Sequence, residues 1–170
     1  VIKLDIGSLP DGFSHTDLSV EASELDVALE GGHLESPVEI GLDVTRTGRD
    51  IIVRGKASVT AVLECARCLE EYTYVLESPL ELLCLTAEEG GGPDFDDDRE
   101  HVIEMPVGAK YVDLADHVRS ELLVLVPLKP LCTESCKGLC PRCGANLNDT
   151  QCSCSSESSD DRWDALRNMK

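Results

Sequence analysis

Nine cysteines in 170 residues, eight of them in pairs or clusters, constrain this chain more than any other feature. They fall as Cys65-Ala-Arg-Cys68, then Cys84 alone, then Cys132-x3-Cys136-x3-Cys140-x2-Cys143, then Cys152-Ser-Cys154. The run Val1–Ile6 carries an acid among its apolar residues and no small-residue cleavage pattern, so it reads as neither a signal nor a transit peptide. The first residue, Val, leaves a trimmed numbering and a non-standard start codon both open. The expected compartment is the cytoplasm, where thiols are held reduced and clustered cysteines bind metal before they form disulfides.

Each C-x2-C pair can aim two thiolates at one ion while the backbone turns a corner, which is half of a tetrahedral zinc site. The first pair, Cys65 and Cys68, needs a second half, and Cys132 and Cys136 supply it: site A. The remaining four, Cys140, Cys143, Cys152 and Cys154, make site B, with Pro141 and Gly144 favouring the tight knuckle turn and Asn146–Asp149 as the connecting loop. A second partition also satisfies the spacing. Cys132 to Cys143 would then close one local site, leaving Cys65 and Cys68 to pair with Cys152 and Cys154. Iron–sulfur ligation suits the ligand type, but the turn residues resemble zinc knuckles more than ferredoxin loops. Two zinc ions held by four thiolates each have no open position for water, so the expected ions are structural rather than catalytic. A redox role would need an exposed thiolate at a helix N-terminus, whereas Cys65 and Cys68 lie between strands. Cys84 falls on the apolar face of a strand and reads as a small buried hydrophobe.

The preceding chain alternates. Val38, Ile40, Leu42 and Val44 face one way and Glu39, Gly41 and Asp43 the other, the pattern of a half-buried strand. After a hairpin connection over 45–50, Ile51, Val53, Ala57, Val59, Ala61 and Leu63 repeat the pattern. A third long strand runs from Glu71 to about Leu85, with Tyr72, Tyr74, Leu76, Leu80, Leu82 and Cys84 on one face. Shorter alternations at Ile2–Ile6, Leu25–Leu29 and His101–Met105 bring the count to five or six strands. Leu114, Val118, Leu122 and Leu125 have helical spacing behind Asp113 as N-cap, and Pro127 closes that helix, although 121–126 is apolar enough to end as a strand. A second, short helix is predicted over 161–169, with Trp163 and Leu166 on one side.

The expected architecture is mainly β (α+β): an antiparallel, partly closed β-sheet body with one packed helix near 113–125 and a C-terminal zinc-ribbon-like segment. Residues 1–128 form an acidic β-rich body and 129–170 a cysteine-rich, zinc-binding tail. A mobile acidic loop is expected over 87–100, where three glycines and seven acids leave nothing to pack; its acids lack the spacing of an EF-hand.

Charge narrows the function. Residues 1–128 hold nine basic and twenty-seven acidic side chains and therefore the whole net charge of −18, while 129–170 hold six of each. Bound zinc makes the chain more negative still, since eight thiolates outweigh two dications. Such a field repels phosphate backbones, and six aromatic residues in all cannot stud a face for single strands, so any RNA contact is local. No stretch approaches the roughly 18 apolar residues of a membrane span. His15, His33, His101 and His117 look scattered, without metal-ligand spacing to any acid. No phosphate loop, nucleophile elbow or H-E-x-x-H appears, and nothing argues for an enzyme.

The run Leu63-Glu-Cys65-Ala-Arg-Cys68-Leu-Glu-Glu-Tyr72, the segment Leu122–Leu128, and Cys132-x3-Cys136-Lys-Gly-Leu-Cys140-Pro-Arg-Cys143-Gly-Ala-Asn-Leu-Asn148 resemble the bacterial and plastid YceD family. The ending Asp161-Arg-Trp-Asp-Ala-Leu166 is similar too, so the resemblance covers about residues 36–170. It implies a factor for accumulation of large-subunit ribosomal RNA, through its synthesis, processing or stability or through early assembly of the large subunit. It also implies that site A is a unit separate from site B. Set beside the acidic body, it points to a protein-facing assembly factor whose partner is a basic ribosomal protein or a large-subunit assembly intermediate, with Lys137, Arg142, Arg162 and Arg167 available for local RNA contact. A zinc-stabilised interaction adaptor without a ribosomal role is the other reading.

Overall fold

The computed structural model describes residues 1–86 and 101–154. The acidic loop expected over 87–100 and the short helix expected over 161–169 lie outside the described residues.

Among the described residues eight strands and one α-helix follow in order: β1 (Lys3–Asp5), β2 (Gly12–Val20), β3 (Gly32–Leu34), β4 (Val38–Thr47), β5 (Asp50–Glu64), β6 (Glu71–Thr86), β7 (Val102–Met105), β8 (Tyr111–Asp113) and α1 (Ala115–Val124). The fold is mainly β with a packed helix and a C-terminal cysteine segment. Its principal sheet runs β2-β4-β5-β6-β7, with β3 joining β5 beside β4. Every pairing in it is antiparallel except β6 with β7, which is parallel, and β2 and β7 leave it open at its edges. β1 and β8 form a separate antiparallel pair with Leu4 opposite Val112.

The alternation in the sequence is the alternation of the pleat. Val44 stands opposite Val53 and Val53 opposite Leu82, so the apolar sets of β4, β5 and β6 share one face, and all three residues are buried. That face, the β1–β8 pair and the inner side of α1 (Val118, Leu122) belong to one apolar cluster. On the outer face Arg54 Nε donates to Glu81 Oε1 across the strands at 2.9 Å. Gly55 is required where β4 crosses close: a Cβ there would collide with the Gly41 carbonyl. Between β3 and β4 the ladder is interrupted, and the Ser36 hydroxyl accepts from Thr60 N in place of a backbone carbonyl (3.0 Å). Cys84 is fully buried on the inner face of β6, and burial pushes its thiol up to about 11, as befits a core residue.

Four local readings are corrected. The alternation Leu25–Leu29 is not a strand: a 3-10 turn over Ala22–Glu24 leads to Asp26 in the left-handed region (φ 49°), and only Leu29 bridges, to Gly32. The strand of that region is β2, whose edge position leaves its side chains half exposed and its apolar signal weak. The hairpin connection is shorter than 45–50, since Thr47 still pairs with Asp50 and only Gly48 and Arg49 turn. The helix cap is Leu114, which has no side-chain acceptor, so Asp113 Oδ1 takes the Ala115 N–H (3.0 Å) and also the Ile2 N–H (3.0 Å), tying α1 to the N-terminus. Residues 121–124 continue the helix rather than forming a strand.

Candidate metal centres

β5 and β6 are the two longest of the described strands, and the Cys65–Cys68 knuckle is the turn between them. Leu69 N donates to the Cys65 carbonyl at 2.9 Å and Cys65 N to Glu70 O at 2.9 Å. This closure puts Leu69 at φ 61°, a left-handed backbone that costs a non-glycine residue about 1–2 kcal/mol. The second knuckle repeats it bond for bond. Gly144 N donates to Cys140 O (2.9 Å), Cys140 N to Ala145 O (2.8 Å), and Gly144, at φ 71°, is the residue type that tolerates the turn.

The structure brings Cys65, Cys68, Cys132 and Cys136 together, and separately Cys140, Cys143, Cys152 and Cys154; within each group the sulfurs lie within 4.8 Å of one another. The alternative grouping, with Cys65 and Cys68 beside Cys152 and Cys154, is not the one observed. All nine cysteines are free thiols. The Cys65–Cys136 and Cys68–Cys132 sulfurs are 3.8 and 3.7 Å apart. A tetrahedron with metal–sulfur bonds of about 2.3 Å has edges of about 3.8 Å, so the donor set and its spacing fit a tetrahedral ion, and both clusters could hold one.

The tail reaches site A through the knuckle backbone. Ala66 N donates to Pro130 O (2.8 Å), Leu139 N to Arg67 O (3.1 Å), and the Arg67 guanidinium to Cys136 O (2.7 Å) and Glu134 O (3.3 Å). Gly138, at φ 73°, lets the chain pass; a Cβ there would stand 2.9 Å from Arg67 O. Tyr72 and Leu131 pack against the cluster, and Cys65, Cys68 and Cys136 are buried. Site B is shallower: Cys140 is buried, but Cys143 and Cys154 are exposed.

Surrounding donors favour the thiolate at Cys65 and Cys136 in site A and at Cys140 in site B. Burial resists ionisation of Cys65, but the N–H groups of Cys132, Cys68 and Arg67 outweigh it and lower that thiol to about 6. Cys140 is lowered to about 6 by the N–H groups of Cys143 and Arg142. Cys154, beside the Cys143 thiol, is driven up to about 12. Four thiolates so close repel one another until a cation arrives.

Two features escaped the sequence reading. Asn148, within the expected connecting loop, donates from Nδ2 to Cys136 Sγ (3.2 Å) and accepts the Lys137 N–H on Oδ1 (2.8 Å). It sits between the two ligand pairs of site B yet serves site A, and it lowers the Cys136 thiol. The second is a correction: His101 and His117 do meet an acid. Together with Glu121 they place three ligand atoms within 4.8 Å of one another. The His117–Glu121 spacing of four residues on a helix was the available signal; His101 comes from a remote segment and left none.

A small β-sheet protein whose longest hairpin and C-terminal segment gather eight cysteines into two closed sets of four is the class that this fold and these sites define. The chain belongs to the family described as Large ribosomal RNA subunit accumulation protein YceD, whose profile matches residues 53–170. It is 31% identical over 167 residues to the Large ribosomal RNA subunit accumulation protein YCED homolog 1, chloroplastic, of Zea mays (78% of this chain, 56% of the relative). The protein of the same name from Arabidopsis thaliana is 28% identical over 158 residues (79% and 49%). An uncharacterized protein of Mycobacterium leprae is 26% identical over 122 residues (71% and 52%). The chain thus spans about half the length of the curated relatives it matches. No solved structure matches it. Among the described residues no helix is long and apolar enough to cross a membrane.

Proposed function

We propose that this chain is a non-enzymatic, cytoplasmic factor that supports accumulation of large-subunit ribosomal RNA, with one structural zinc ion in each four-cysteine cluster and a basic protein as its direct partner. Family membership supplies the ribosomal part of the reading, as the two plant relatives carry that role in their names. Zinc is the ion of choice because four thiolates at tetrahedral spacing suit a soft-accepting d10 cation with no geometric demand of its own. When bound it would neutralise part of the thiolate charge and lock the tail onto the β5–β6 hairpin.

The observation that carries the structural role is the closure of both ligand sets. Each gathers four sulfurs, and the eight clustered cysteines are fully used, so neither ion keeps a position for substrate. The partner is inferred from charge: of the net −18, all resides before residue 129, and the outer sheet face already pairs its Arg54 with Glu81 and its Lys56 with Glu77. An RNA backbone meets repulsion there, whereas a lysine- and arginine-rich ribosomal protein or assembly intermediate meets attraction that weakens with salt.

The test is the ratio of large- to small-subunit ribosomal RNA, with precursor ends mapped, in cells depleted of the protein and rescued with wild type or Cys65→Ser. The expected result is a lowered ratio restored by wild type alone. An unchanged ratio would reject the ribosomal reading in favour of a zinc-stabilised adaptor. Capture of partners at low and raised salt tests the charge argument, and a complex indifferent to salt defeats it.

A further inference from the structure

We propose that His101, His117 and Glu121 form a third metal site, distinct from the cysteine clusters, that binds a divalent first-row transition cation through two imidazole nitrogens and one carboxylate oxygen. His117 and Glu121 stand one turn apart on α1, and His101 immediately precedes β7. The three ligand atoms lie within 4.8 Å of one another. His117 Nε2 is buried and, among the described residues, has no hydrogen-bond partner; the nearest carboxylate oxygen, Glu121 Oε1, is 4.0 Å away. A buried ring nitrogen left unpaired in this way is costly unless something else satisfies it.

The neighbouring groups look like a supporting shell. The buried Ser78 hydroxyl on β6 lies 3.1 Å from Glu121 Oε2, fixing one carboxylate oxygen and leaving the other toward His117. The His101 ring meets that of His117 edge to face, with centroids 5.9 Å apart. Burial is the largest influence lowering the His117 pKa from the ordinary histidine value, against the opposing pull of Glu121 and with a smaller contribution from His101. The site opens onto a cleft of about 550 Å³ that Asp113 and Asp116 also line. Asp113 is engaged by the Ile2 and Ala115 amides and Asp116 by Arg119, so neither belongs to the ligand set.

Two imidazoles and a carboxylate select zinc, cobalt or nickel over magnesium and calcium, which prefer oxygen alone. Bonds of about 2.0–2.2 Å place tetrahedral neighbours about 3.3–3.6 Å apart, somewhat closer than the 4.0 Å between His117 Nε2 and Glu121 Oε1, so an ion must draw the groups together. His101 is exposed and can supply that movement. Unlike the cysteine clusters, three protein ligands leave coordination positions for water or an anion from the cleft.

The test uses the full chain, reconstituted with two equivalents of zinc so that only the thiol clusters are filled, then titrated with cobalt(II) while the histidine ring resonances are followed. Selective paramagnetic broadening of His101 and His117 ahead of His15 and His33, at least tenfold weaker in His101→Ala and in Glu121→Gln, is the expected result. Broadening of His15 first, silence of all four rings up to millimolar cobalt, or equal uptake by His101→Ala would each overturn the proposal. His101→Ala alters an exposed side chain, so it remains informative even where a change at the half-buried His117 unfolds the protein.

Discussion

The two cysteine clusters share four sulfurs, a C-x-Arg-Cys knuckle and the same pair of backbone bonds, yet they do different work in the fold. Site A joins residues as far apart as Cys65 and Cys136, is buried, and is braced by Arg67, Ala66 and Tyr72 from the β5–β6 hairpin. Site B spans only Cys140 to Cys154 and leaves two of its four cysteines exposed. Ions bound alike at the two sites would therefore have unequal consequences, because a cross-link stabilises by the chain entropy that it removes from the unfolded state. An ion at site A would hold a loop of roughly sixty residues and one at site B roughly ten; by the argument used for disulfides the two closures would be worth about 4 and about 3 kcal/mol. The first would tether the tail to the sheet, whereas the second would shape the tail alone.

The largest expected effect follows from that difference. Cys65→Ser should lower the unfolding midpoint of the whole zinc-loaded protein, while Cys143→Ser should leave sheet unfolding nearly unchanged and raise hydrogen exchange only over 138–154. Equal losses in the two variants, measured by circular dichroism and exchange, would erase the distinction. Asn148→Ala should come next. Although its residue lies within the loop of site B, metal affinity at site A should fall about tenfold, the usual scale for a lost outer-shell bond to a ligand, when competed with a chromophoric chelator. A loss confined to site B would show that the two centres do not share this contact.

Gly138→Ala probes the joint between them. A left-handed backbone and a Cβ 2.9 Å from Arg67 O predict a cost of about 1–3 kcal/mol, seen as a lower denaturation midpoint with both ions still bound. The smallest effect concerns the knuckles themselves. Leu69→Gly should stabilise by under about 1 kcal/mol by relieving the φ 61° turn, and Gly144→Ala should destabilise by about 1 kcal/mol. Opposite signs in equilibrium unfolding would establish that the two turns are one motif filled by a poor and a good residue.

Much of this was legible in one dimension because its signals are local. Period-two alternation located β4, β5 and β6, since each strand buries one face, and the cysteine spacings identified both knuckles and all eight clustered thiols. β2 was missed because an edge strand buries little, and Leu25–Leu29 was misread because alternation over five residues also fits a turn whose apolar side chains reach the core. Site A was one of two partitions that the spacing allowed, as nothing in sequence order says which remote pair a hairpin turn will meet.

The sequence by itself determined the β-rich character, the acidic body, the packed helix near 113–125 and the presence of thiol clusters, all properties carried by neighbouring residues and by composition. Tertiary structure alone decided the parallel β6–β7 edge, the choice of Cys132 and Cys136 as partners of Cys65 and Cys68, the reach of Asn148 from one centre to the other, and the meeting of His101 with His117 and Glu121. Those depend on which distant segments the shared apolar core brings within a few ångströms, and long-range packing of that kind leaves no periodic trace along the chain.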